Sequence, residues 1–457
     1  MGRTLSPDLC VIGAGAAGLS IAAVASRLGA SVVMIEAQRL GGECLHSGCV
    51  PSKALLAAGA DGLDLESGYR AMRRAIEELA PQDSVARFEA LGVTVIQAEA
   101  RFTDERTVEA GDATIRARRF VLATGSRPEL PEIPGLADGP CLTNETVFDR
   151  APDIEHLLVL GAGPMGVELA QAYRRLGRWV TLIARRRVLA RDDPELAAPV
   201  IAALEAEGVE VIEQASVARV EWPGGPLVGL AIGDGSSRQV AGSHLLVATG
   251  RRAHVEGLGL EAAGIRASAK GIVVDARLRT TNRRVFAVGD AVGPHRFTHM
   301  AGHHAGVVIR NALFRLPAKV DHRAVPRVTY TTPELMQVGL TEAEAREQHG
   351  RIEILRHPFA ENDRAVIDSE PAGLVKLIVG PKGRLVGGGV VGIGAGELAL
   401  PLALMITRRL PLSAMAGAIV PYPTRAEALQ RAAGRHYAAK LLNPRTKRLV
   451  RLVSRLS

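Results

Sequence analysis

Residues 8–37 read DLCVIGAGAAGLSIAAVASRLGASVVMIEA. An apolar run enters Gly13, Gly15 and Gly18; an alanine-rich segment of helical character follows, and then a second apolar run over Val32–Ile35. The three glycines suit a tight turn, close approach of the backbone to a pyrophosphate and close helix–strand packing, and a helix N-terminus offers its dipole to the phosphates. Glu36 closes the second run, 23 residues after Gly13, where an acid binds ribose hydroxyls. Strand, turn, helix, strand and acid all fall in place, which predicts a parallel dinucleotide-binding fold at the start of the chain.

The pattern recurs at 156–187, HLLVLGAGPMGVELAQAYRRLGRWVTLIARRR, with Gly161, Gly163 and Gly166 between an apolar strand and a helix. The same offset of 23 residues now lands on Ala184, followed by Arg185, Arg186 and Arg187. Without the carboxylate a 2′-phosphate meets no repulsion, and guanidinium groups pair with it. NADPH is therefore preferred over NADH at this second site; the alternative is a solvated basic turn. Two dinucleotide folds of opposite charge at the ribose position suggest a flavoprotein reduced by a nicotinamide. Two further strands end in Thr-Gly, FVLATGSRP at 120–128 (Thr124, Gly125) and LLVATGRR at 245–252 (Gly250), and suit a crossing beneath a cofactor. RVFAVGDAVG at 284–293 places Asp290 just after a glycine, where it can hold a sugar-like hydroxyl.

The totals bound the function. A chain of 457 residues suggests about three domains, and 47% apolar with 23% charged residues is a globular composition. An aromatic share of 3% argues against a nucleic-acid stacking surface. No apolar run approaches the roughly 20 residues of a membrane span. Four cysteines are too few for a secreted disulfide scaffold, so a reducing, cytoplasmic compartment is expected, with Cys10 and Cys141 read as buried small apolar residues. A signal peptide is rejected because cleavage would remove the first glycine turn, and the loose myristoylation match at Gly2 is set aside. From Arg431 onward there are eight Lys and Arg and no acid, equal to the formal net charge of +8, so the body of the protein is neutral.

Cys44 and Cys49 lie in GGECLHSGCVPSK, residues 41–53. A zinc site from Cys44, His46 and Cys49 lacks a fourth ligand and the usual spacing, so no metal site is expected. In a regular helix, residues five apart are too distant for a disulfide, whose Cα atoms lie about 4.4–6.8 Å apart. Gly48 permits a tight turn, and Pro51 suits the first turn of a helix VPSKALLAAG with Cys49 at its N-terminus, where the dipole favours a thiolate. We read the pair as a redox disulfide.

This stretch resembles the active-site motif of the flavoprotein disulfide reductases, the family of dihydrolipoamide dehydrogenase, glutathione reductase and mercuric reductase. Both glycine fingerprints, the ATG and VGD segments, TPELMQVGLTEAEA and PYPTRAEA extend the resemblance over nearly the whole chain. It implies an α/β fold with two Rossmann-like domains and a C-terminal α+β dimerisation domain. The segments would be 1–150 and 271–322 for FAD, 151–270 for NAD(P)H and 323–457 for the interface, in a homodimer whose partner completes each active site. It further implies that Cys44 is the interchange thiol, that Cys49 is the charge-transfer thiolate, and that Lys53 pairs with Glu168 near the flavin and nicotinamide.

One departure from the family pattern stands near the C-terminus. Dithiol-using members carry His-Pro-Thr and then Glu, a base and its orienting carboxylate; this chain has Tyr422, Pro423, Thr424 and Glu427. Mercuric reductases also have tyrosine here, although neither their N-terminal GMTCxxC module nor C-terminal vicinal cysteines occur in this sequence. Tyr422 is either part of the site or a packed interface aromatic. The acceptor is left open among a disulfide, a metal ion such as Hg(II) and a quinone, with dihydrolipoyl dehydrogenase as the alternative. A further alternative is a non-catalytic flavin-binding sensor or membrane-associated scaffold, to which the tail RTKRLVRLVSRLS lends an apolar face (Leu449, Leu452, Val453, Leu456) beside basic residues. The preferred expectation for that tail is a surface helix packed on its own domain.

Overall fold

The computed structural model describes residues 3–149 and 153–454. The boundary drawn at 150/151, Gly2, and Arg455 and Leu456 of the tail lie outside the described residues. Strand β1 (Leu9–Ile12), helix α1 (Ala16–Arg27) and strand β2 (Val32–Glu36) form the first unit read from the sequence. Leu9 and Val11 pack against Ala17, Ile21 and Ala25 of α1, while Cys10 and Ile12 face the other side with Phe102 and Phe120. A strand buried on both faces must be apolar at every position, hence its unbroken apolar run. Gly13 has φ +104°, and a Cβ there would lie 2.3 Å from the carbonyl oxygen of Ala123. A Cβ at Gly18 would lie 1.9 Å from the oxygen of Gly13, so only glycine lets α1 sit this close to the turn.

The chain continues through α2 (Gly42–His46), α3 (Cys49–Ala60), β3 (Val93–Gln97) and β4 (Arg119–Leu122). The second unit then repeats the first: β5 (His156–Leu160), α4 (Pro164–Arg175) and β6 (Trp179–Ile183), with β5 parallel to β6 and to β7 (His244–Val247). Gly161 has φ +110°, and its Cβ would lie 2.5 Å from the oxygen of Ala248. The Gly13 N–H donates to Ile35 at 2.8 Å, and the Gly161 N–H donates to Ile183 at 2.9 Å. The repeat therefore extends to individual hydrogen bonds. Strand β8 (Val285–Ala287) returns beside β4 and completes a parallel sheet of order β8-β4-β1-β2-β3. Helix α5 (Thr298–Ala312) buries Ala301, Ala305 and Val308 in the core shared with α1.

The C-terminal part is an antiparallel sheet. Strands β9 (Arg327–Thr329), β10 (Glu334–Gly339), β11 (Glu353–Pro358), β12 (Leu374–Gly380) and β13 (Arg384–Gly392) take the order β9-β10-β13-β12-β11. Helix α6 (Ala426–Leu441) covers it with Ala428, Leu429, Ala432 and Ala433. By compactness the chain divides into two units, one of residues 1–161, 172–185 and 215–321 and one of residues 162–171, 186–214 and 322–457. Two sequence expectations are corrected here. Helix α7 (Pro444–Val453) has no buried residue, so this part of the tail is not packed into its own domain, and its apolar side is exposed among the described residues. Cys141 is half-buried rather than buried, because it sits in irregular backbone ahead of the bridge formed by Leu142, whereas Cys10 is fully enclosed in β1.

Candidate functional site

The loop that carries Cys44 and Cys49 hangs on the first glycine turn. The Gly41 N–H donates to the Ala14 carbonyl at 3.0 Å, and a Cβ on Gly42 would lie 2.8 Å from the Cα of Gly15. Helix α2 ends at His46, Ser47 and Gly48 turn the chain, and α3 begins at Cys49. The two cysteines thus occupy neighbouring short helices rather than one regular helix, which is why residues five apart can meet. The His46 ring bonds the Leu40 carbonyl at 2.8 Å and is taken up in holding the loop. Thr298, at the start of α5, donates to the Cys44 sulfur at 3.4 Å and lies 3.8 Å from that of Cys49. Sequence reading missed this threonine; its only signal is the helix start, some 250 residues away.

Cys44 is half-buried and Cys49 is exposed, and no disulfide joins them in this structure. The Cys44 thiol is pushed well above its usual range, first by its hydrogen bond with Cys49 and then by burial. The proton is therefore best kept on Cys44 and the charge on Cys49, at the N-terminus of α3.

Beside the pair lies a polar cluster that sequence reading also missed, although Glu43 and Arg251 both stand in the quoted motifs. Arg251 is paired with Glu43 and donates to Asn144 at 3.0 Å and to the Ser126 hydroxyl at 2.9 Å. The Ser126 hydroxyl in turn donates to Asp290 at 2.7 Å. The Asn144 amide donates to Glu43 at 3.2 Å and to the Ser47 carbonyl at 3.0 Å, clamping the loop between the cysteines. Burial pushes the Glu43 carboxyl up to about 7; Arg251 opposes this, and the nearby Asp290, Cys49 and Glu145 add to it. The direction follows because one guanidinium faces several acidic groups in a partly dry site.

The sign for Cys49 is opposite to that for Glu43. Ionised Glu43 adds negative charge and disfavours the thiolate, so above about pH 7 it resists what rising pH promotes. Glu43→Gln keeps an acceptor for Arg251 and removes the charge. In the two-electron-reduced enzyme, this variant is expected to form its thiolate in a sharper step, about one pH unit lower than the wild type. A pH titration of the long-wavelength absorbance checks this, and superimposable profiles would refute it.

The remaining residues are distributed as follows. The Glu36 carboxylate accepts the Ala14 N–H at 2.7 Å and the Gln38 N–H at 2.8 Å, which brings the acid back to the glycine turn. Gly15 has only the Gly42 Cα, at 3.9 Å, near its missing Cβ, so that side of the turn is open. Backbone crowding at Gly13 and Gly42 with openness at Gly15 fits the close approach of a pyrophosphate, as FAD binding requires. The Thr124 hydroxyl donates to the His254 carbonyl at 2.8 Å, Gly125 accepts from the His254 N–H at 3.0 Å, and Gly250 accepts from the Glu129 N–H at 3.0 Å. Strands 126–128 and 251–253 pair between them, so the two ATG segments are joined directly.

Lys53 donates to the Ser52 hydroxyl at 3.4 Å. Glu168 is buried and accepts the Tyr330 N–H at 2.9 Å. Lys53 belongs to the first compact unit and Glu168 to the second. In the second fingerprint, Arg185 and Arg186 are exposed and Ala184 is buried at the strand end. Tyr422 is exposed, and its hydroxyl donates to Asp363 at 3.0 Å rather than to Glu427. Asp363, as acceptor and as a charge, holds the phenol above its usual range. Glu427 is buried; one carboxylate oxygen meets Arg431 at 3.4 Å, and the other has no hydrogen-bond partner among the described residues.

Comparison with known proteins shows the family. The family described as pyridine nucleotide-disulphide oxidoreductase matches residues 7–306, and its dimerisation domain matches residues 325–433. A mercuric reductase of Streptomyces lividans is 37% identical over 93% of this chain and 95% of its own length. A dihydrolipoyl dehydrogenase of Thermus scotoductus is 35% identical over 93% and 96%. The Cu(II) complex of the HOCl-induced flavoprotein disulfide reductase RclA from Escherichia coli superposes with a TM-score of 0.86 at 27% identity, covering 95% of this chain and 99% of that one. The chain belongs to the pyridine nucleotide-disulphide oxidoreductase family, and is an FAD-dependent enzyme that takes its electrons from NAD(P)H.

Proposed function

We propose that this enzyme carries two electrons from NADPH, by way of FAD, to the Cys44–Cys49 pair, and from the thiols to a metal ion that binds them. One observation carries the choice of acceptor. Tyr422 stands where dithiol-using members have histidine, and its hydroxyl is engaged by Asp363. A metal ion needs two sulfur ligands and electrons but no imidazole base, whereas dithiol–disulfide exchange needs proton transfer near neutral pH. The relatives named mercuric reductase support the same reading. A divalent ion that takes two electrons leaves as the metal, NADPH leaves as NADP⁺, and one proton is released.

FAD supplies two-electron exchange between the nicotinamide and the thiols. The chain's own residues do the rest. Gly13, Gly15 and Gly18 receive its pyrophosphate, Glu36 its adenosine ribose, and Asp290, held by Ser126, its sugar-like chain. Thr124, Gly125 and Gly250 shape the crossing beneath it, and the family resemblance gives Lys53 and Glu168 each a role near the flavin and the nicotinamide. Cys44 takes the acceptor while Cys49 holds the negative charge. Gly161, Gly163 and Gly166 receive the NADPH pyrophosphate, and Arg185 and Arg186 its 2′-phosphate. The corresponding segments are 1–150 with 271–322, 151–270, and 323–457. The last forms a homodimer, supported by the exposed apolar residues Ile367, Leu400, Leu404 and Ile419 of the dimerisation region. A cytoplasmic site of action is the reading supported by the low cysteine count, four in 457 residues.

A second reading, dihydrolipoyl dehydrogenase, is favoured by Glu427, whose buried oxygen is still open to a base. The non-catalytic sensor gives way, since the relatives are enzymes. Steady-state NADPH oxidation with Hg(II), with lipoamide and with glutathione disulfide tests the choice. Turnover is expected with Hg(II) alone, and fast turnover of either disulfide with none of Hg(II) would reverse it. In the same assay NADPH should outrun NADH, and Arg185→Ala with Arg186→Ala should narrow that gap by about tenfold, the loss of one charge-assisted pairing. Because Ala184 is buried, these truncations are cleaner than a carboxylate at 184.

A further inference from the structure

We propose that helix α7 docks the enzyme on anionic lipid bilayers. Leu449, Val450, Leu452 and Val453 are each 57–62% exposed, and no residue of the helix is buried. Leu449, Leu452 and Val453 stand at i, i+3 and i+4 and share one face, with Val450 on its flank. Lys447 and Arg451 occupy the opposite face, Arg448 borders Leu452, and Arg445, one turn before Leu449, extends from the N-terminal edge of the apolar face. Apolar residues on one side and cations on the other are the pattern of a helix lying in the plane of a membrane interface, its apolar face sunk about 5–10 Å into the headgroup boundary.

Charge selects the occupant. The whole formal net charge of +8 is matched by the eight Lys and Arg from Arg431 onward, where there is no acid. A second copy set against this helix about a twofold axis would bring the same cations together. The match to the family's dimerisation domain ends at residue 433, before α7 begins at Pro444. An anionic lipid surface meets both demands: it neutralises the cations and takes up the aliphatic face. In the homodimer proposed above, two such helices would act together and strengthen a contact that is weak singly. No described helix is long and apolar enough to cross a membrane, so the contact is peripheral.

The test is cosedimentation of the full-length, FAD-loaded enzyme with vesicles of equimolar phosphatidylglycerol and phosphatidylcholine, against vesicles of phosphatidylcholine alone. The enzyme is expected to sediment with the anionic vesicles only and to be released by salt. Leu449→Glu with Leu452→Glu, and separately Arg448→Gln with Arg451→Gln, should each weaken binding about tenfold, with flavin content and flavin reduction by NADPH unchanged. Failure of the wild type to bind anionic vesicles overturns the proposal, as does equal binding to both vesicle types. If the leucine variant sediments like the wild type, or instead changes the oligomeric state in size-exclusion chromatography, the face belongs to something other than lipid and the proposal fails.

Discussion

Cys44→Ser is expected to show a long-wavelength charge-transfer absorbance in the oxidised, FAD-loaded enzyme before any NADPH is added. Cys49→Ser is expected to lack it while still binding FAD. Without Cys44 no disulfide can form, and the Cys49 thiolate stays at the N-terminus of α3, near Thr298. Without Cys49, the remaining thiol is the half-buried one, in a site that holds it protonated. Loss of the Cys49 hydrogen bond relieves part of that shift but not the burial. Both variants should lose acceptor turnover by roughly a thousandfold or more, the scale on which loss of a reacting nucleophile acts, while NADPH still reduces the flavin. Absorbance spectra and stopped-flow reduction read the two properties separately. Identical spectra in the two variants would mean that the division of labour is wrong.

Tyr422→His should have the second-largest effect, and in the direction of gain. A base works best with a pKa near the working pH; the Tyr422 phenol starts near 10 and is raised further by Asp363. The imidazole would have two carboxylates to orient it, Asp363 and the open oxygen of Glu427. Lipoamide and glutathione disulfide activities are expected to rise by about a hundredfold, near the lower end of what general-base catalysis supplies, because the surrounding pocket was shaped for another acceptor. The gain should follow the ionisation of a group near pH 6.5, the ordinary histidine range, and be lost as pH falls below it. Wild-type turnover already fast with either disulfide, or an unimproved variant whose flavin is still reduced normally, would show that residue 422 does not set the acceptor class.

Legibility followed the range of the constraint. Gly13 and Gly161 declare themselves because a positive φ and a carbonyl oxygen within 2.3–2.5 Å of the missing Cβ leave no other residue. The unbroken apolar run of β1 and the placing of Glu36 at the end of β2 are equally local, since apolar pattern and offset are properties of neighbouring residues. The redox loop was legible as a motif, and its division into α2 and α3 follows from Gly48. Glu43 and Arg251 stood in plain view within quoted motifs, yet nothing in either segment says that they meet across 208 residues of sequence.

The sequence by itself determined the two glycine turns and the family, because glycine stereochemistry and strand period act over a few residues, and it supplied the redox reading of the cysteine pair. Only the tertiary structure decided that Thr298 touches Cys44, that Glu43 lies in a half-buried acidic cluster beside Cys49, that Tyr422 turns to Asp363 rather than Glu427, and that α7 exposes its apolar face among the described residues. Hydrogen bonds, burial and electrostatic shifts depend on distance in space. The first three join residues from 6 to 254 positions apart, and the last depends on a surface that no neighbouring residue specifies.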